Sequence, residues 1–191
     1  MQLQKVHEGV FVIDNFFNDQ ECTEFIQRIN EDELKENRMF SHTCDFYNNK
    51  QIDNDVAQFL WNRIMQYFPR KYTDLKGIQW LAIKPSHFVA TTHYKKSQHF
   101  GLHTDTGIID KDDSHVRSKF TTLIYLNDNY ENGQTCFFDD NFKHTVTIQP
   151  KKGRILIFDI DLWHLAEPIA NGEKYWIGVE LMFRLNLHKN T

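Results

Sequence analysis

The second half of the chain carries a series of short apolar segments with the composition of β-strands. From Ile78 onward, runs rich in β-branched and aromatic residues alternate with turn signals such as Asn132-Gly133 and Pro150 to Gly153. Pro85-Ser86 separates the first two runs. The clearest runs are residues 78–84, 87–94, 120–126, 145–149, 154–160 and 175–183. Many short strands with polar turns and few helices after them predict a sandwich or jelly roll.

Two amphipathic helices are predicted before these strands. Asn18 and Glu21 have the spacing of a capping box, and the apolar stripe that follows places the first helix at about residues 19–30. The second helix is predicted at about residues 53–68, where Pro69 ends it. We expect both helices to bury their apolar faces against a mainly β core. The absence of an internal repeat or a linker predicts one domain over residues 1–191.

Composition and charge argue against several classes of protein. The formal net charge of −4 and the pI of about 6.2 give no basic surface for nucleic acid. The 3 cysteines are far apart and fit neither a disulfide framework nor a zinc site. No apolar run approaches the ~18 residues of a membrane span, and the first residues lack the apolar core of a secretory signal. We therefore expect a cytoplasmic protein without membrane or nucleic-acid partners, in an oligomeric state that the sequence leaves open.

The first candidate for chemistry is the pair His103 and Asp105. Residues two apart in a strand point to the same face, so this imidazole and this carboxylate would converge. Together they supply two of the three ligands of a 2-His-1-carboxylate site for Fe(II). A loop histidine with an acidic neighbour is the simpler alternative. His99 shares the strand parity of the pair and is either a rival ligand or a supporting residue.

A second segment, residues 158–184, supplies candidates for the remaining groups. His164 follows a buried strand, and Lys174 begins the last strand ten residues later. His164 would be the third iron ligand. Lys174 would pair with the far carboxylate of a dicarboxylate co-substrate, because a buried lysine needs an anionic partner. A lysine in a surface turn is the alternative.

With these pieces in this order, the chain resembles the iron(II)- and 2-oxoglutarate-dependent oxygenases, and within them the prolyl 4-hydroxylase type. The similarity extends over about residues 9 to 184, and its further pieces are VFVIDNFFNDQEC, LIYLND, NGQTCFF and QPKKGRILIF. The resemblance implies a double-stranded β-helix of the jelly-roll kind. It also implies Fe(II) as cofactor, 2-oxoglutarate and O2 as co-substrates, and ascorbate as an additional cofactor.

The resemblance assigns roles by position. His103, Asp105 and His164 would bind Fe(II) and form the catalytic centre. Lys174 and Tyr125 would bind the distal carboxylate of 2-oxoglutarate, and Tyr94 would line the co-substrate pocket. A core tyrosine with a satisfied hydroxyl is the alternative for Tyr125.

The implied activity is a 2-oxoglutarate-dependent dioxygenase that hydroxylates an unactivated C–H, with a prolyl residue in a protein or peptide as the expected substrate. Hydroxylation of a free amino acid or other small molecule is one alternative. A non-catalytic jelly-roll binding module is another.

Several positions bear on the substrate rather than on the cofactors. Ser118 stands where prolyl hydroxylases often carry a substrate-binding arginine, and we expect Arg117 or Lys119 to replace it. Residues 39–52 and 106–117 lack a clean period and are expected to be mobile loops that close over the substrate. Glu180 shares a strand face with Lys174, either as its partner or as a substrate contact.

Overall fold

The computed structural model describes residues 1–31 and 38–186. That part of the chain contains the helices α1 (Asp19–Glu31) and α2 (Asn54–Ile64) and fifteen strands. The strands are β1 (Gln4–His7), β2 (Val10–Ile13), β3 (Arg38–Phe40), β4 (Cys44–Ile52), β5 (Lys71–Thr73), β6 (Gln79–Tyr94), β7 (His99–His103), β8 (Val116–Tyr125), β9 (Glu131–Asn132), β10 (Thr135–Phe138), β11 (His144–Ile148), β12 (Ile155–Asp159), β13 (Trp163–Ala166), β14 (Ile169–Asn171) and β15 (Lys174–Leu185).

Most of these strands belong to one curled antiparallel sheet. Its order is β1-β2-β12-β8-β15-β6-β4-β7-β13-β10-β11, with β3 added at β4 and β5 added at β6. The sheet curls until its two ends face each other: the ring of Phe137 in β10 lies 5.2 Å from that of Phe158 in β12. Apolar residues of β2, β8, β10 and β12 fill the space between the two ends. The predicted mainly β jelly roll is therefore confirmed.

The two helices pack on the outer side of the sheet. The capping box of α1 is present, since the Asn18 N–H donates to Glu21 and the Glu21 N–H donates to the Asn18 side chain, at 2.8 and 2.9 Å. Asp53 caps α2, which ends at Ile64 rather than at the predicted Phe68 because the chain tightens there into a turn. Neither helix within the described residues is long and apolar enough to span a membrane.

Pro85 lies inside β6 rather than between two strands, so the predicted interruption is wrong. The pairing of β6 with β15 shifts register between Val179 and Leu181, opposite residues 85–89. On the other edge, β5 pairs only with residues 79–81 and β4 only with residues 88–93. A bulge beside an unpaired edge is where a strand tolerates proline, which lacks an N–H donor.

Residues 39–52 form β3 and β4, so the prediction of a loop there is wrong. β4 pairs with β6 over Tyr47 to Ile52 and with β7 at Cys44 and Asp45. Its inner face changes from buried Phe46 to the polar residues Asn48 and Lys50, which line a cavity. This polar inner face hides the alternation by which a strand is usually recognised.

Candidate active site

Three side chains from two neighbouring strands converge inside the curled sheet. His103 ends β7, Asp105 follows it, and His164 lies in β13 directly opposite His103. One potential ligand atom of each residue lies within 4.8 Å of the others. Asp105 Oδ1 is 3.5 Å from Nε2 of His103 and 3.8 Å from Nε2 of His164. The structure thus brings together the three residues that the sequence singled out as metal ligands.

Backbone carbonyls orient both imidazoles toward this cluster. Nδ1 of His103 lies 2.7 Å from the Gly101 carbonyl oxygen, and Nδ1 of His164 lies 3.0 Å from that of Leu162. A carbonyl only accepts, so each Nδ1 carries the proton and each Nε2 offers its lone pair to the cluster. Burial lowers the pKa of His164 to about 4, which keeps its ring neutral at pH 7. Both rings are therefore prepared to bind a metal ion.

Thr121 in β8 fixes the carboxylate. Its hydroxyl donates to Asp105 Oδ2 at 2.6 Å, which leaves Oδ1 for the cluster. Burial alone would raise the pKa of Asp105, but the two neighbouring histidines and the hydrogen bond from the Thr121 hydroxyl hold it below its ordinary value. Two neutral imidazoles and one ionised carboxylate are the donor set that suits Fe(II) with open coordination positions.

Replacing Thr121 by valine tests this support, because valine keeps the shape and removes the donor. We expect Fe(II) affinity to fall by about 10–100-fold, the usual effect of losing a group that orients a ligand. Equilibrium titration with Fe(II) measures it, with Thr121→Ser as the rescue and Thr73→Val, on an exposed strand position, as the control. Wild-type affinity in a folded Thr121→Val protein would show that Asp105 needs no such support.

The cluster opens on a cavity of about 400 Å³, and Lys174 lies deep in its wall. The lysine is 1% exposed, so it is not a surface turn residue. Its ammonium donates to the Gly133 carbonyl at 2.7 Å and lies 5.4 Å from the ring centre of Tyr94 and 5.3 Å from that of Tyr125. Among the described residues no carboxylate lies within ion-pair distance of it. Burial lowers its pKa to about 7, as expected for a cation whose counter-ion is a ligand.

The two tyrosines surround this lysine in different ways. Tyr94 lines the cavity directly. Tyr125 is fully buried, and its hydroxyl lies 2.9 Å from that of Thr135, which lines the cavity. Thr135 belongs to the segment NGQTCFF, yet sequence reasoning gave it no role. A direct contact between Tyr125 and a bound co-substrate stays a prediction.

Three other candidates lie away from the cluster. His99 Nδ1 is 3.3 Å from the Ser97 carbonyl, and His99 is not part of the group of potential ligands. The Arg117 guanidinium lies 4.7 Å from the centre of the Trp80 ring. Lys119 is buried and forms ion pairs with Asp74, Asp159 and Asp161. Neither cation lines the cavity. Lys119 is held by its ion pairs and does not replace the family's substrate-binding arginine, whereas a substrate role for Arg117 stays a prediction.

Glu180 does not pair with Lys174. Its Oε1 lies 3.1 Å from the Lys50 ammonium, and its Oε2 accepts a 2.5 Å hydrogen bond from the Ser118 hydroxyl. Glu180 and Lys50 both line the cavity.

The connection before β8 is tied to the sheet. Ion pairs join Asp110 to Lys84 and Asp113 to Arg184. Ser118 also bonds the backbone of Ile108 through both its N–H and its hydroxyl. The expected mobility of residues 106–117, and their closure over a substrate, stay predictions.

Comparison with protein families matches residues 89–179 to the model of the 2OG-Fe(II) oxygenase superfamily. This segment contains His103, Asp105, His164 and Lys174 in the order that the resemblance requires. Residues 89–179 thus form a 2OG-Fe(II) oxygenase domain in this chain. The chain is a 2-oxoglutarate-dependent dioxygenase, with Fe(II) as cofactor and 2-oxoglutarate and O2 as co-substrates. The alternative of a non-catalytic binding module is therefore wrong.

Solved structures similar to this oxygenase include three prolyl hydroxylases. The 2OG complex of a viral collagen prolyl hydroxylase from Paramecium Bursaria Chlorella virus-1 is 20% identical, with a TM-score of 0.64 over 93% of this chain and 97% of that one. A Pseudomonas putida prolyl-4-hydroxylase is 15% identical, with a TM-score of 0.64 over 94% of both chains.

The third is a prolyl hydroxylase from Trichoplax adhaerens in complex with a hypoxia inducible factor oxygen degradation domain peptide fragment. It is 18% identical, with a TM-score of 0.65 over 91% of this chain and 83% of that one. At these identities the likeness to the three structures concerns the fold of the oxygenase. A comparison with curated proteins gives no match.

Proposed function

We propose that this oxygenase hydroxylates a prolyl residue in a protein or peptide. His103, Asp105 and His164 hold Fe(II), Lys174 binds the distal carboxylate of 2-oxoglutarate, and Tyr94 and Tyr125 complete that end of the pocket. The observation that carries the roles in iron and 2-oxoglutarate binding is that one cavity contains the three potential ligands and the buried Lys174, which has no carboxylate partner among the described residues. When bound, Fe(II) and 2-oxoglutarate would supply the activation of O2, with one oxygen atom ending in the product hydroxyl group and the other in succinate as 2-oxoglutarate loses CO2.

The chain's own residues then have separate tasks. Lys174 selects an acid with a second carboxylate, because a buried cation without a carboxylate partner is satisfied by an anion of the right length. The carbonyls of Gly101 and Leu162 keep the two imidazoles in the ligating tautomer. Two apolar residues, Phe158 and Leu123, restrict water on the inner side of the cavity. The ring centre of Phe158 lies 4.6 Å from that of His164. Water exclusion protects the reaction from unproductive oxidation.

The choice of a prolyl residue is supported by the fold. The three solved structures above are prolyl hydroxylases, and one of them holds a peptide fragment. A polypeptide needs an open approach, and the cavity reaches the surface beside Met39 of the edge strand β3, whose side chain is half exposed. A free amino acid would instead need enclosed partners for both its ammonium and its carboxylate.

Succinate formation tests this proposal. The oxygenase is incubated with Fe(II), 2-oxoglutarate and ascorbate, and proline-containing peptides are compared with free amino acids. We expect stimulated turnover with peptides, a mass gain of one oxygen on proline, and loss of both in His164→Ala. Omitting ascorbate tests its predicted role as an additional cofactor. Turnover on free proline or lysine with none on peptides would reject the prolyl-residue assignment.

A further inference from the structure

The substrate side of the cavity is built on three adjacent strands. Lys50 of β4 pairs with Ala90 of β6, and Ala90 pairs with Gly178 of β15. All three residues line the cavity, so they form one row across its floor. Because Ala90 and Gly178 have almost no side chain, the row leaves an open strip between Lys50 and the far side of β15.

Lys50 lies across this open strip. Its ammonium is 5.6 Å from the centre of the Phe88 ring and reaches Glu180, two residues beyond Gly178 on the same face of β15. Glu180 in turn pairs with Thr121, the residue that holds Asp105. Glu180 and Thr121 therefore lie side by side on the sheet, and both line the cavity that also contains the three potential metal ligands.

The two members of this ion pair differ in freedom. Glu180 has a side chain 16% exposed and is fixed by the Ser118 hydroxyl at 2.5 Å. Lys50 has a side chain 43% exposed and holds Glu180 at 3.1 Å through one flexible chain. Lys50 can therefore rotate its ammonium into solvent. Glu180 stays in the cavity, where its carboxylate then needs another cation as a partner.

Charge balance favours a cationic substrate over an anionic one. Fe(II), Asp105, Lys174 and the 2-oxoglutarate dianion have formal charges that cancel, so the ion pair of Glu180 and Lys50 supplies the remaining charges of the occupied site. An anion drawn to Lys50 would lie beside Glu180 and remove its counter-charge, which costs free energy in a partly buried position. A substrate ammonium or guanidinium would instead take the place that the Lys50 ammonium occupies.

We propose that Glu180 is a specificity-determining residue that binds a cationic group of the substrate close to the hydroxylated carbon, in exchange for Lys50. This inference rests on the proposed function in taking the substrate as a peptide, in which a lysine or arginine would adjoin the target prolyl residue. It also explains why this chain has Ser118 where prolyl hydroxylases often carry a substrate-binding arginine. Ser118 orients a carboxylate there, and a large arginine would compete for the same carboxylate.

Paired substrates test the inference. One panel contains proline-centred peptides that differ only in a neighbouring lysine, norleucine or glutamate, and a second contains free lysine and norleucine. We expect the cationic member to have the highest kcat/KM. Glu180→Gln should lower that value about 10- to 100-fold, as for loss of a charge-assisted hydrogen bond, and should lower the value for the norleucine member by a much smaller factor, so that the preference for lysine is lost. Glu180→Lys should reverse the preference toward glutamate.

The Lys50→Met variant distinguishes displacement of the Lys50 ammonium by the substrate cation from simple attraction of that cation to Glu180. Removing the competing ammonium should raise kcat/KM for the cationic member by up to about fivefold, and a fall would overturn the exchange. The matched controls are Glu131→Gln and Lys143→Met, both at exposed positions outside the cavity.

The outcomes distinguish the two proposals. Turnover of peptides without a preference for lysine, or a preference that survives Glu180→Gln, overturns the role of Glu180 and leaves the prolyl assignment standing. If free lysine is turned over faster than norleucine and no peptide is accepted, the prolyl assignment is rejected and the role of Glu180 in binding a cationic group is supported. No turnover with any cationic member overturns the role of Glu180.

Discussion

Replacing His103, Asp105 or His164 by alanine will remove iron binding and hydroxylation together. These residues supply the potential ligand atoms that lie within 4.8 Å of one another, and their orienting hydrogen bonds serve no other evident purpose. Loss of an outer group that orients a ligand costs about 10–100-fold in affinity, and loss of a ligand itself should cost more. The measurements are iron content after purification with Fe(II) and 2-oxoglutarate-dependent succinate formation.

Two further histidines provide matched controls for these variants. His99→Ala and His144→Ala remove imidazoles that lie outside the cluster and should keep both iron and activity. Full iron binding in all three ligand variants would contradict the assignment. Loss of iron in His99→Ala alone would mean that the metal site lies at the His99 end of β7.

Lys174→Ala will weaken 2-oxoglutarate binding by about 10- to 150-fold, the range that corresponds to loss of a charge-assisted hydrogen bond. The lysine is buried, and the Gly133 carbonyl is its hydrogen-bond acceptor, so a bound carboxylate supplies the missing counter-charge. Tyr125→Phe should cost less, about fivefold, because it removes a neutral hydrogen bond. An unchanged 2-oxoglutarate Kd in Lys174→Ala would mean that another cation holds the carboxylate, and Lys143→Ala serves as the control.

The pH dependence of the same affinity gives a second measurement. Burial lowers the pKa of Lys174 to about 7 in the free protein, and a bound anion will raise it again. The protonated lysine is the form that binds, so affinity should be level below about pH 7 and fall by up to tenfold per pH unit above it. In Lys174→Arg the guanidinium stays charged, and any remaining affinity should be independent of pH over this range. A level wild-type profile to pH 9 would contradict a titrating Lys174.

The sequence allowed the triad and Lys174 to be predicted because each belongs to a short local pattern. His103 and Asp105 are two residues apart at a strand end, and His164 and Lys174 flank one turn region. The capping box of α1 was predictable for the same reason, since it needs only residues three apart.

The supporting contacts depend on register between distant strands, which no local pattern records. Thr121 meets Asp105 because β8 and β7 approach in the curled sheet, and Lys50 meets Glu180 across 130 positions of sequence. β4 was missed for a related reason. Its inner face lines a cavity rather than the apolar core, so its polar residues lack the alternation that marks a half-buried strand.

Of the two small residues that leave the strip open, Ala90 can be replaced by a larger residue and Gly178 cannot. A Cβ at Gly178 would meet the Thr122 carbonyl oxygen at 1.9 Å, so any larger residue would separate β8 from β15. Ala90 is partly exposed and lines the cavity. Changes in the size of the accepted substrate should therefore accumulate at position 90, while position 178 remains glycine in every descendant that keeps this sheet.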